Sequence, residues 1–89
     1  MTKREAVVRL EIMRKLIERL PEIDGIFPNI GGSGYGCSIE ILDDNAVSII
    51  ENAFHVALKT KPIPIVNGSD FHKKASALVD GIEIFTLLR

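Results

Sequence analysis

The chain is short of the residues that most often carry chemistry. It has one cysteine, Cys37, two histidines, no tryptophan, four phenylalanines and one tyrosine in 89 residues. A single cysteine excludes an internal disulfide and any zinc site built from several thiolates, which suits a reducing compartment. No run approaches the ~18 apolar residues of a membrane-spanning helix. The first residues, with Lys3-Arg4-Glu5, lack the apolar stretch of a signal peptide. A cytoplasmic location without membrane contact is the expectation. An excess of positive charge is missing as well: 11 Lys and Arg face 12 Asp and Glu, for a net charge of -1. General nucleic-acid binding usually shows as a strongly basic domain. The aromatics Phe27, Tyr35, Phe54, Phe71 and Phe85 are mostly in core phase and leave few stacking platforms.

What is present describes an ordered protein. Hydrophobic residues make up 46% and charged residues 26% of the chain, far from the composition of disorder. The length fits a single domain over residues 1–89 that buries roughly 60–65% of its unfolded surface. The apolar share is generous for so small a volume, so part of it is expected at the surface, as a self-association or protein-partner face.

From Thr2 to Leu20 the residues Ala6, Leu10, Met13, Ile17 and Leu20 recur at helical spacing, with Val7, Val8, Ile12 and Leu16 widening the stripe. Thr2 with Glu5 forms a capping-box signal and Pro21 ends the helix. Ile26 to Ile30 carries Pro28 and suits an edge strand. Cys37, Ile39 and Ile41 alternate with Ser38 and Glu40, the pattern of a strand with one buried face, so the two segments read as a hairpin. Asp43, Asp44 and Asn45 offer caps for a second helix running to about Thr60, with Val47, Ile50, Phe54, Ala57 and Leu58 as its buried stripe. Pro62 to Val66 should be extended and peripheral. Phe71, Ala75, Leu78 and Val79 suggest a third helix, closed by Asp80-Gly81. Ile82 to Leu88, apolar on both faces, suits a central strand covered above and below. The expected fold is α+β: a two-layer domain with three helices on a mixed three- to four-stranded sheet, in the order α-β-β-α-β-α-β. The strand order stays open between a ferredoxin-like arrangement and a small open α/β sheet.

Four of the seven glycines lie in Gly31-Gly32-Ser33-Gly34-Tyr35-Gly36. Such a segment allows positive φ angles or close approach of a ligand, and its backbone N–H groups can form an anion-binding nest. A phosphate loop or dinucleotide fingerprint would lead into a helix, whereas Gly36 leads into a strand. Over roughly residues 31–58, the glycines followed by strand, acidic turn and helix resemble the C-terminal glycine motif of GHMP-type small-molecule kinases. The chain has no room for that family's principal nucleotide-binding half, so the resemblance carries no kinase activity with it. Tyr35 is the one large side chain in the segment and fits an interface anchor.

Cys37 with His55 or His72 would make a nucleophile and base, but a lone cysteine in phase with Ile39 and Ile41 reads first as a small buried hydrophobe. Glu51 and His55, one turn apart, are too few for a structural zinc site. Lys59, Lys61, His72, Lys73 and Lys74, the last three near the start of the expected third helix, form a basic group able to attract an anion. No catalytic set, metal or cofactor emerges; enzymatic activity stays open, with a non-enzyme as the leading reading. The leading expectation is a small cytoplasmic protein-binding module of the immunity, inhibitor, adaptor or phage-accessory type. Its contact residues would be Gly32, Ser33, Gly34, Tyr35 and Gly36, with His72, Lys73 and Lys74 secondary. The alternatives are a small-molecule or phosphate-binding domain using the N–H groups of residues 31–36, and nucleic-acid binding through the basic group.

Overall fold

The computed structural model describes residues 2–30, 36–64, 68 and 70–89. Among these, the elements run α1 (Lys3–Glu18), β1 (Ile26–Asn29), β2 (Ser38–Ile41), α2 (Ala46–Phe54), β3 (Lys59–Pro62), β4 (Lys73–Val79) and β5 (Ile82–Leu88). The α+β class holds, but the element count is corrected. Two helices pack on one five-stranded mixed sheet in the order α-β-β-α-β-β-β, in place of three helices on three or four strands.

α1 begins where Thr2 Oγ1 accepts the Glu5 N–H at 3.1 Å, satisfying one of the N-terminal amides that have no partner within the helix. It ends at Glu18, with Arg19 as its C-cap, before Pro21 can interrupt the ladder. α2 is shorter than expected. His55 takes a left-handed φ of 54° and ends the helix. The Glu51 carboxylate then accepts the Leu58 N–H at 3.2 Å and holds the chain that turns back into β3. Lys59 and Thr60 therefore belong to a strand.

The expected third helix is β4. Ala, Lys and Ser give residues 73–79 little intrinsic strand preference, yet Asp80-Gly81 decides the matter. Both residues have positive φ, 52° and 80°, as the two central positions of a type I′ hairpin require. That turn fixes Val79 opposite Ile82 and registers all of β4 on β5. The same dipeptide that could cap a helix here joins two strands.

The strand order is β1-β2-β5-β4-β3, with β2 and β5 parallel and the other neighbours antiparallel. β5 is central, but it is covered on one side only. Ile39 pairs with Ile84 and Ile41 with Ile26, which puts them on one face with Ile82. On that face they meet Met13 and Leu16 from α1 and Ala46, Ile50 and Phe54 from α2. Full burial of each isoleucine stabilises by about 1.5–3 kcal/mol. Arg19 lies over the Phe54 ring at 4.9 Å and ties the end of α1 to α2. The opposite face carries Phe27, Glu40, Phe85, Ser76 and Lys59 in one cross-strand row and, among the described residues, has no helix over it.

Both edge strands carry a proline, and in both the ring sits where it costs no ladder bond. Leu42 N–H donates to Gly25 O at 2.7 Å, which makes residues 25 and 42 a hydrogen-bonded pair. By alternation, Pro28 opposite Ile39 is a non-bonded position with its nitrogen turned outward. Ile63 N–H donates to His72 O at 3.0 Å, and the same alternation turns the nitrogen of Pro62 outward from β3. Neither edge presents a full row of donors to another strand.

Candidate functional site

α1 is seated on the sheet through its second half. Met13 and Leu16 are buried, whereas Val7, Val8 and Leu10 are 58%, 52% and 51% exposed. At 100° per residue, Val7, Leu10, Arg14 and Ile17 fall along one side of the helix, while Val8 falls on another. Leu10 and Ile17 on this side face the end of β1. There a groove of about 380 Å³ is lined by Leu10, Met13 and Ile17 from α1 and by Pro28 and Ile30, with Arg14 and Glu18 as its charged members. It exists because Pro28, although on the helix-facing side of β1, stays exposed at the sheet edge.

The charges along the groove are already paired. Arg14 Nε donates to Glu11 Oε2 at 3.2 Å, and its terminal nitrogens donate to the Glu11 and Glu18 carboxylates. The hydrogen bond from Arg14 holds the Glu11 carboxyl below its usual range, and the Glu11 hydrogen bond raises Arg14 further above its own. All three are exposed, so water screens these pairs and their worth to stability is small. Their effect is to hold Arg14 between two carboxylates, which leaves the cluster with one net negative charge.

Of the expected site residues, Gly32, Ser33, Gly34 and Tyr35 lie outside the described residues. Gly36 is exposed, with open space around it. His72, Lys73 and Lys74 do not start a helix: His72 precedes β4, and the two lysines open it. Successive side chains of a strand point to opposite faces, so Lys73 and Lys74 diverge. Lys74 joins Lys59 and Lys61 on the uncovered face, directly opposite Lys61. Its ammonium reaches Glu83 at 3.1 Å and lies over the Phe85 ring at 5.3 Å. The basic group is thus split between faces, and one member is neutralised. Lysines and a proline on β3 have a sufficient structural role in keeping that edge from pairing with another chain.

Cys37 is 1% exposed, so its thiol is not presented to a substrate. His55 and His72 are on the surface, and Glu51 is engaged by the Leu58 amide. Among the described residues no group of three or more His, Cys, Asp or Glu could hold a metal ion, and no helix is long and apolar enough to cross a membrane.

Comparison with protein-family models, with curated proteins and with solved structures finds no match for this chain. Function has to be read from the surface itself.

Sequence reasoning placed Leu10 and Ile17 on a helical stripe but took the stripe as core, and it missed the part played by Pro28 and Ile30. One signal was available. Around Val7, Val8 and Leu10 the apolar residues encircle the helix more widely than one sheet can cover.

Proposed function

We propose that this chain is a small non-enzymatic protein-binding module whose docking surface is the exposed side of α1 together with the outer end of β1. The observation that carries this reading is the half-seated helix: Val7 and Leu10 stand in solvent beside a groove walled by Met13, Ile17, Pro28 and Ile30. Exposed apolar side chains next to an apolar groove are the features with which one protein receives a helix or an extended segment of another. The paired Glu11, Arg14 and Glu18 supply a polar rim of the kind that surrounds such a surface. In sequence, Ile30 leads directly into Gly31 and the glycine-rich segment that holds Tyr35.

The test is native co-purification from the source cell with wild-type chain, Leu10→Lys and Val8→Lys. Leu10 and Val8 are almost equally exposed, but only Leu10 lines the groove. A stoichiometric protein partner retained by wild type and Val8→Lys and lost by Leu10→Lys is the expected result. A partner that all three retain would move the docking surface elsewhere.

A further inference from the structure

Building on that docking surface, we propose that it receives a second copy of this chain, with the two α1 helices packed antiparallel across a two-fold axis. Lys3, Val7, Leu10, Arg14 and Ile17 follow one another at spacings of four, three, four and three, the pattern of a helix-pairing seam. The first turns supply the knobs, Val7 and Leu10, of which Leu10 also lines the near end of the groove. The following turns, with Pro28 and Ile30, supply the groove. The knobs lie on the helix that forms one wall of the groove, so a two-fold axis can bring each knob to the other copy's groove and satisfy both at once, as an isologous contact requires. Val7 then packs on Ile17 of the second copy, and Leu10 on the stem of its Arg14. That guanidinium is already held by Glu11 and Glu18, so it enters the contact without an unpaired charge.

Charge selects the direction. The seam begins at Lys3 and Arg4 and ends near Glu18 and Glu22. Antiparallel pairing sets each basic end against the acidic end of the other helix, whereas parallel pairing sets like against like. Assembly through the sheet edges is opposed by Pro28, Pro62 and the β3 lysines.

Sedimentation equilibrium on the full chain, from about 1 μM to about 1 mM, tests the pairing. The wild-type mass should climb from 9.8 kDa toward twice that value. Leu10→Lys and Val7→Lys should each weaken association by more than about tenfold, while Val8→Lys associates as wild type does. Lys3→Glu with Arg4→Glu should weaken it as well, and more at low salt than at high. Circular dichroism melts identify the variants that remain folded. A wild-type chain that stays at 9.8 kDa throughout, or a folded Val8→Lys that dissociates as readily as Leu10→Lys, overturns the pairing. In the first case, a different protein captured by wild type and lost by Leu10→Lys leaves the docking surface standing and removes only the second copy.

Discussion

Replacing Gly25 with alanine tests the closeness of β1 and β2. A Cβ on Gly25 would lie 2.0 Å from the carbonyl oxygen and 2.8 Å from the carbonyl carbon of Leu42. Carbon and oxygen settle at about 3.3 Å or more, so at this point the strands would have to part by roughly 1.3 Å. The obstructing atoms are backbone and cannot swing aside. The same pair is joined by the Leu42 N–H to Gly25 O bond of 2.7 Å, whose loss costs about 1 kcal/mol. Overpacking adds about 1–3 kcal/mol. The sum, about 2–4 kcal/mol, corresponds to a fall in Tm on the order of 10–25 °C for a domain of this size. Gly36 gives the opposite sign. Nothing lies within 4 Å of its Cβ position and its φ is not positive, so Gly36→Ala should stabilise by about 0.4–1 kcal/mol through the unfolded chain. Far-UV circular dichroism melts of the two variants are the assay. A Gly25→Ala protein that melts at or above the wild-type temperature would refute the β1–β2 packing.

Gly81→Val should destabilise by about 1–3 kcal/mol, because a β-branched residue must then hold a φ of 80°; chemical denaturation measures it, and an unchanged midpoint argues against the type I′ turn. Glu11 titrates below its usual range in the folded chain because Arg14 donates to it. Its contribution is therefore present above the ordinary glutamate pKa and lost as pH falls through the lowered folded value. Stability measured against pH should show a smaller acid loss for Glu11→Gln than for wild type, and identical acid limbs would count against the pair. Cys37, 1% exposed, should react with iodoacetamide far more slowly than a free thiol until denaturant opens the core; prompt native labelling would contradict its burial.

The legible parts of the fold were those with a strong local code. Thr2 and Glu5 marked a helix start, Pro28 marked an edge, and the alternation of Cys37, Ile39 and Ile41 marked a buried strand face. β4 was not legible from its own residues. Ala75, Leu78 and Val79 fit a helical spacing, while the inward row Ala75, Ala77 and Val79 becomes visible only through pairing with β5. α2 was overextended because Ala57 and Leu58 continue its apolar period, and nothing local announces the left-handed turn at His55. The groove was illegible for a related reason. Periodicity assigns Leu10 to the same stripe as Met13, but their different burial depends on where the edge of the sheet falls beneath α1. The basic group was visible as a run of lysines, and its division between two faces followed only from the strand assignment.

The pairing of two copies through the exposed side of α1 and the end of β1 makes a residue-by-residue statement about which amides feel dilution. Backbone amide shifts recorded by NMR over a dilution series, with the signals assigned to residues, test it most directly. Concentration-dependent shifts should gather at Val7, Leu10, Arg14, Asn29 and Ile30 and leave strands β3 and β4 still. Shifts that gather instead at Lys59, Lys61 and Lys73, or a spectrum that does not change with concentration, would contradict it.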